Sequence, residues 1–153
     1  MFSLSKKTEY GLLALIHLSE LNDDDLANVS QIANSTSIPR ELLAKILSEL
    51  VRADLAVSYP GPTGGFRLAR PATQVSLADV LRVLETKTGL IECLSKKGRC
   101  SQAGNCSIKA PMAGLNHKFR VILEETKLSD LIDQRPERLQ SFPLAPAAAG
   151  ERN

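Results

Sequence analysis

Six residues, Pro60-Gly61-Pro62-Thr63-Gly64-Gly65, constrain this chain more than any other stretch. Prolines fix φ and lack an N–H, and glycines favour tight reversals, so the segment forms a turn and neither helix nor strand. Leu55, Ala56, Val57, Ser58 and Tyr59 before it have strand character, and Phe66, Arg67 and Leu68 resume the alternation after it. The pattern predicts a β-hairpin with a glycine-rich tip, its arms carrying Arg67 and nearby Arg70. Just upstream, Leu43, Ile46, Leu47 and Leu50 form one apolar stripe over residues 40–53, with Arg40, Lys45, Ser48 and Arg52 off it. Pro39 stands where a first helical turn tolerates it. A shorter helix over 29–34, capped by Asn28 or Ser30 with Ile32 and Ala33 inward, is joined to it by a turn at 35–38. Helix, short polar turn and second helix with a basic side outline a helix-turn-helix. A hairpin placed directly after it is a wing. The expected fold is mainly α: a winged helix-turn-helix with a two-stranded wing, followed by a cysteine loop and a long dimerisation helix.

The flanking segments complete that outline. Ser5 is a plausible N-cap for an amphipathic helix over 5–21, with Glu9 near its positive end and Leu12, Leu13, Ile16, His17 and Leu21 at helical spacing. Asn22 to Asp25 make a polar turn. Ser76 and Asp79 have the spacing of a capping box, with Asp in place of the usual Glu, opening a helix to about residue 85. Pro111 opens a longer helix on which Met112, Leu115, Phe119, Ile122 and Thr126 form a seam of about two heptads. Such a seam needs a partner, and a second copy of the chain is the simplest. A short helix follows over 128–132, and the Pro- and Ala-rich residues 134–153 are expected to be a disordered tail. The domain reading is therefore winged helix-turn-helix over 1–85, cysteine loop over 86–110, dimerisation and terminal helices over 111–133, then the tail.

All three cysteines, Cys93, Cys100 and Cys106, fall within fourteen residues at C-x6-C-x5-C spacing. The run is rich in Gly, Ser, Lys and Asn and has no apolar period, so the thiols do not fill a core. Three thiolates on a short loop suit a soft metal or an iron–sulfur cluster. Structural zinc is the serious competitor, but it usually wants paired short spacings and a fourth Cys or His. No signal-peptide pattern or membrane-length apolar run is visible, which points to a cytoplasmic protein without a membrane partner, and an odd cysteine count disfavours closed disulfides.

The net charge of +2 is too small to demonstrate a polyanion partner, and absent Trp with 4% aromatics argues against an aromatic stacking platform. The nucleic-acid case rests on placement. Ser37, Arg40, Glu41, Lys45 and Arg52 belong to the helix expected in the major groove and the turn before it. Tyr59, Thr63, Gly64 and Arg67 belong to the wing, expected on phosphates or the minor groove. Nothing resembles a catalytic constellation, so an enzyme is not expected. His17 reads as a packed or interfacial histidine, and His117 as a polar flank residue of the seam helix or a minor ligand candidate. A cluster-free thiol or zinc redox regulator remains open, as does an iron–sulfur or zinc carrier or scaffold that never touches DNA; a carrier needs neither helix-turn-helix nor wing.

Over roughly residues 1–133 the chain resembles the bacterial iron–sulfur transcription regulators typified by the IscR and NsrR repressors. The resemblance rests on Leu4-Ser-Lys-Lys-Thr-Glu-Tyr-Gly-Leu-Leu-Ala-Leu, on Ile38-Pro-Arg-Glu-Leu-Leu-Ala-Lys-Ile-Leu, and on the wing run Gly61-Pro-Thr-Gly-Gly-Phe-Arg-Leu. The three cysteines and the closing Leu128-Ser-Asp-Leu complete it. It implies a homodimeric regulator, expected to be a repressor, that binds palindromic double-stranded DNA. It also implies a [2Fe-2S] cluster, in preference to a [4Fe-4S] one, held by Cys93, Cys100 and Cys106. IscR-like members place a histidine three residues after the third cysteine, where this chain has Lys109. NsrR-like members use an acidic residue near the N-terminus of the other subunit. The matching position is Glu9, which serves equally as an ordinary helix-start acid. Ala44 stands where IscR carries a discriminating glutamate, and the first cysteine spacing is one residue longer than usual.

Overall fold

A computed structural model describes residues 3–86 and 106–133. Cys93, Cys100 and the tail over 134–153 lie outside the described residues. The elements run α1 (Lys6–Ser19), α2 (Val29–Thr36), α3 (Arg40–Arg52), β1 (Ala56–Tyr59), β2 (Gly65–Leu68), α4 (Leu77–Leu84), α5 (Lys109–Glu125) and α6 (Leu128–Asp133). A single 3-10 turn, Ala72–Gln74, links the hairpin to α4. No helix among the described residues is long and apolar enough to cross a membrane.

Local chemistry sets the helix starts. The Ser5 hydroxyl accepts from the Thr8 N–H and caps α1. Asn28 and Gln31 form a reciprocal capping box on α2, as do Ser76 and Asp79 on α4. The α1 helix stops at Ser19, short of the expected Leu21, and α2 runs two residues beyond Asn34 to end at a left-handed Ser37 (φ 57°). That residue and Ile38 turn the chain into α3, with Pro39 at the cap position. The α5 helix starts at Lys109, two residues ahead of Pro111, which lies in a first turn that needs no N–H from it.

Helices α1 to α4, α6 and the hairpin enclose one core that includes Leu15, Ile32, Leu43, Ile46, Leu47, Leu50, Leu55, Val75, Val80 and Leu128, all essentially inaccessible. The stripe predicted on α3 is thus its buried face. Gly11 brings α1 close to α4: a Cβ there would lie 2.2 Å from Leu84 Cδ1. The hairpin is antiparallel with Ala56 opposite Leu68 and Tyr59 opposite Gly65. Phe66 exchanges both backbone hydrogen bonds with Ala27 (3.1 and 2.8 Å), adding a one-residue third rung that anchors the wing to the loop before α2. Gly65 permits this approach, since a Cβ would sit 2.8 Å from the Ala27 carbonyl atoms.

The segment after α5 returns to the body. The Leu77 N–H donates to Thr126 O and the Leu128 N–H to Val75 O, each at 2.8 Å, so the end of α5 pairs with the entry to α4. Phe119 and Leu123 pack on Ala78, Leu81, Leu4 and Leu77. The expected α5 seam is therefore divided: Phe119 faces the protein's own α4, Thr126 closes the helix, and Leu115 and Ile122 are 51% and 58% exposed. Asp79 reinforces the joint by accepting from Arg70 and Arg82 at 3.1 and 3.0 Å, while Arg82 also reaches Glu124 at 2.9 Å.

Glu85, at the end of α4, accepts from the Ser5 N–H at 2.7 Å. Burial works against its charge, but the Ser5 N–H, the Thr8 and Ser5 hydroxyls and nearby Lys7 outweigh it and hold the carboxyl below its ordinary value of 4.5. A depressed carboxylate contributes stability that is present above that value and lost as pH falls through the folded-state pKa. Thermal midpoints measured from pH 7 down to pH 3 should fall for the parent protein. Glu85→Gln keeps an acceptor oxygen but loses the charge; it should start lower, by about 1 kcal/mol, and fall less steeply.

Candidate nucleic-acid interface

With its apolar stripe buried, α3 turns Glu41, Ala44, Lys45, Ser48 and Arg52 to solvent. Four of these lie four or three residues apart along one face, and Arg40 stands exposed at the helix start. A helix about 10–12 Å across fits the roughly 12 Å major groove of B-DNA. Arg40, Glu41 and Lys45 have no polar partner among the described residues, so their heads are available to a ligand. Arg52 is partly engaged, donating from Nε to Ser48 O at 3.3 Å. Glu49 points back to the body, where Lys7 holds it at 2.6 Å. Pro39 gives α3 no side-chain cap, which leaves its first N–H groups open to solvent or to an anion. Ser37 is exposed in the left-handed turn just before it.

The wing stands next to α3, which packs on β1. Tyr59 is exposed at the end of β1, and the Arg67 guanidinium lies 4.9 Å from its ring centroid. Arg67 also donates to Asp23 O at 3.1 Å. Stacking and a backbone acceptor hold this cation in place without neutralising it, because neither partner carries a charge. Thr63 is exposed at the hairpin tip, and Gly64 is half-buried under it; a Cβ on Gly64 would meet Tyr59 O at 2.1 Å. The sequence-predicted residues of helix and wing are thus surface groups on neighbouring elements. Ala44 and Ser48 were not among them, although their spacing from Glu41 already places them on the same face. The contribution of Asp23, a backbone carbonyl, left no signal in side-chain pattern.

Of the expected cluster ligands, Cys106 is described. Its thiol is half-buried and free, immediately before α5, and its carbonyl accepts from the Lys109 N–H at 3.3 Å. Glu9 lies in the first turn of α1, where it pairs with Lys6. Lys109 is exposed as the first residue of α5. Among the described residues, no group of three His, Cys, Asp or Glu side chains comes together. His17 shares a hydrogen bond with the Ser35 hydroxyl at 3.1 Å, bridging α1 and α2, and His117 is exposed on α5.

Comparison with known proteins agrees with this arrangement. A family model described as Rrf2, iron-dependent transcriptional regulator, matches residues 4–134. The chain is 35% identical over 138 residues to the HTH-type transcriptional regulator NsrR of Oceanobacillus iheyensis, covering 90% of this chain and 94% of that one. Among solved structures, CymR (YrzC), the global cysteine regulator of B. subtilis, is similar with a TM-score of 0.70 at 24% identity, over 88% of this chain and 99% of that chain. IscR of T. potens gives a TM-score of 0.67 at 22% identity, over 93% of this chain and 94% of that chain. At these identities the two structures establish a shared fold.

The wing contact carries a specific expectation. Arg67→Ala should weaken binding to duplex DNA and lower the slope of log affinity against log salt by about 1, the signature of one lost phosphate contact. Arg67→Lys should recover part of the slope but lose the planar stack on Tyr59. Fluorescence anisotropy across a salt series reads both.

Proposed function

Because the chain belongs to the Rrf2 family of iron-dependent transcriptional regulators, we propose that it is a dimeric DNA-binding repressor. Its signal is the state of an iron–sulfur cluster on Cys93, Cys100 and Cys106. The observation that carries this reading is one of position. The three-cysteine segment joins α4, part of the DNA-reading body, to α5, the helix with an unburied apolar side. Any group bound there lies in the chain between the two.

Ile108, Leu115 and Ile122 recur every seven residues and are 63%, 51% and 58% exposed, an apolar line suited to a second copy of α5. Two copies would present two α3 helices to the half-sites of a palindrome. Residues 1–85 would then read DNA, 86–110 hold the cluster and 111–133 hold the dimer.

Three thiols with no competing short-spaced pair fit an iron–sulfur group by donor chemistry, and the described member, Cys106, is free and half-buried. Lys109 carries an ammonium and is a poor ligand. The resemblance to NsrR-like members, and the 35% identity to one of them, supports Glu9 of the partner subunit in the fourth position, with a [2Fe-2S] cluster preferred to a [4Fe-4S] one. When bound, such a cluster supplies chemistry sensitive to oxidants, nitric oxide and loss of iron. The protein's part is to hold it with three soft ligands and one exchangeable hard one.

Anaerobic purification followed by visible and electron paramagnetic resonance spectra, with iron and sulfide analysis, tests the reading. A coloured protein with matched iron and sulfide is expected. Cys106→Ala should abolish the colour, and Glu9→Ala should shift the spectrum or shorten the lifetime of the cluster in air. A colourless protein with stoichiometric zinc overturns the cluster. A spectrum and lifetime unchanged in Glu9→Ala removes Glu9 as a ligand.

A further inference from the structure

Glu41 and Lys45 lie on the same solvent-facing side of α3, four residues apart, with Glu nearer the N-terminus. That order and spacing favour an ion pair on an isolated helix. None is formed, and neither side chain has another partner among the described residues. The neighbouring charges behave differently, since Glu49 is held by Lys7 and Arg52 by Ser48 O. The helix therefore presents one free acceptor-only head and one free donor-only head, with the small Ala44 between them.

Glu41 lies in the first turn of α3, where the helix dipole favours an acid. On a DNA-facing surface a carboxylate is repelled by phosphates, so the DNA group it can approach favourably is a base edge. In the major groove the group that a carboxylate matches is the cytosine N4 amine, and an ammonium matches guanine O6 and N7. Four residues of helix rise about 6 Å, close to two base-pair steps of about 3.4 Å. We propose that Glu41 and Lys45 are base-reading specificity residues, Glu41 selecting a cytosine and Lys45 a guanine about two base pairs away in each half-site.

This inference rests on the reading of α3 as the DNA-recognition helix. The two residues differ in kind. Lys45 adds attraction to DNA in general, and Glu41 subtracts from it. Glu41 thus acts by penalising wrong sequences as well as by rewarding the right one.

Selection from a random duplex library with the purified full-length protein, sequenced after several rounds, tests it. The parent should enrich a palindrome with a cytosine and a guanine at the stated separation in each half. Lys45→Ala should bind more weakly and lose the guanine preference, a drop of about tenfold or more at that position. Glu41→Gln should lose the cytosine preference by a similar factor while binding non-specific DNA at least as tightly as the parent. A purely structural Glu41 would not give that opposite pair of effects.

If the parent enriches a motif that both variants reproduce unchanged, the base-reading assignment is wrong while the DNA-binding reading stands. If the parent enriches no motif and its DNA affinity matches that of Lys45→Ala and Glu41→Gln, the recognition-helix reading fails and this inference with it.

Discussion

The hydrogen bond from the Ser5 N–H to Glu85 Oε1 joins the N-cap of α1 to the residue that ends α4. Its partners are 80 residues apart in the chain, yet the contact is supported from both sides. Thr8 is fully buried beneath it, and the positive end of α1 favours the negative charge. In sequence the cysteines follow Glu85, and Glu9 lies one residue beyond Thr8. One carboxylate therefore ties the end of α4 to the start of α1, the helix whose Glu9 is the proposed ligand for the partner subunit's cluster.

The far end of α5, the helix that follows the cysteines, is fixed by different means. Past α5, backbone bonds between Val75–Leu77 and Thr126–Leu128 return the chain to the start of α4, and Asp79 gathers Arg70 and Arg82 at the same joint. Arg70 follows the wing closely, so wing exit, α4 and α5 share one set of charges. Surface ion pairs of this sort contribute little stability singly. Their value is orientation: rotation of α5 against α4 would strain bonds that also touch the base of the wing.

Much of this was legible in sequence because it is local. The glycine and proline turn, the stripe Leu43–Ile46–Leu47–Leu50 and the Ser76/Asp79 box each fix a short piece of backbone by rules that act within a few residues, and each appears as expected. The unread features are those that pair distant segments: the Ala27–Phe66 rung, the backbone bridge between Ser76 and Lys127, and the Ser5–Glu85 contact. The α5 seam shows the boundary between the two. Heptad spacing marked its apolar positions, but spacing alone does not say which of them the protein's own α4 will occupy. Phe119 went inward and Leu115 and Ile122 stayed out. At the DNA face, residue type and periodicity found Arg40, Lys45 and Arg67, while the partner that restrains Arg67, a main-chain carbonyl, has no side-chain signature.

The central claim is that occupancy of the cysteine segment and occupancy of DNA are coupled. The most direct measurement is the affinity of cluster-loaded and cluster-free protein for one operator duplex, taken anaerobically at the same salt. Coupling between two sites in one molecule typically amounts to about 5- to 150-fold in affinity. A difference in that range, mirrored by a change in cluster stability when DNA is added, is the predicted result. Equal affinities for the two forms would contradict the account, leaving a DNA-binding protein whose cysteines do not regulate it.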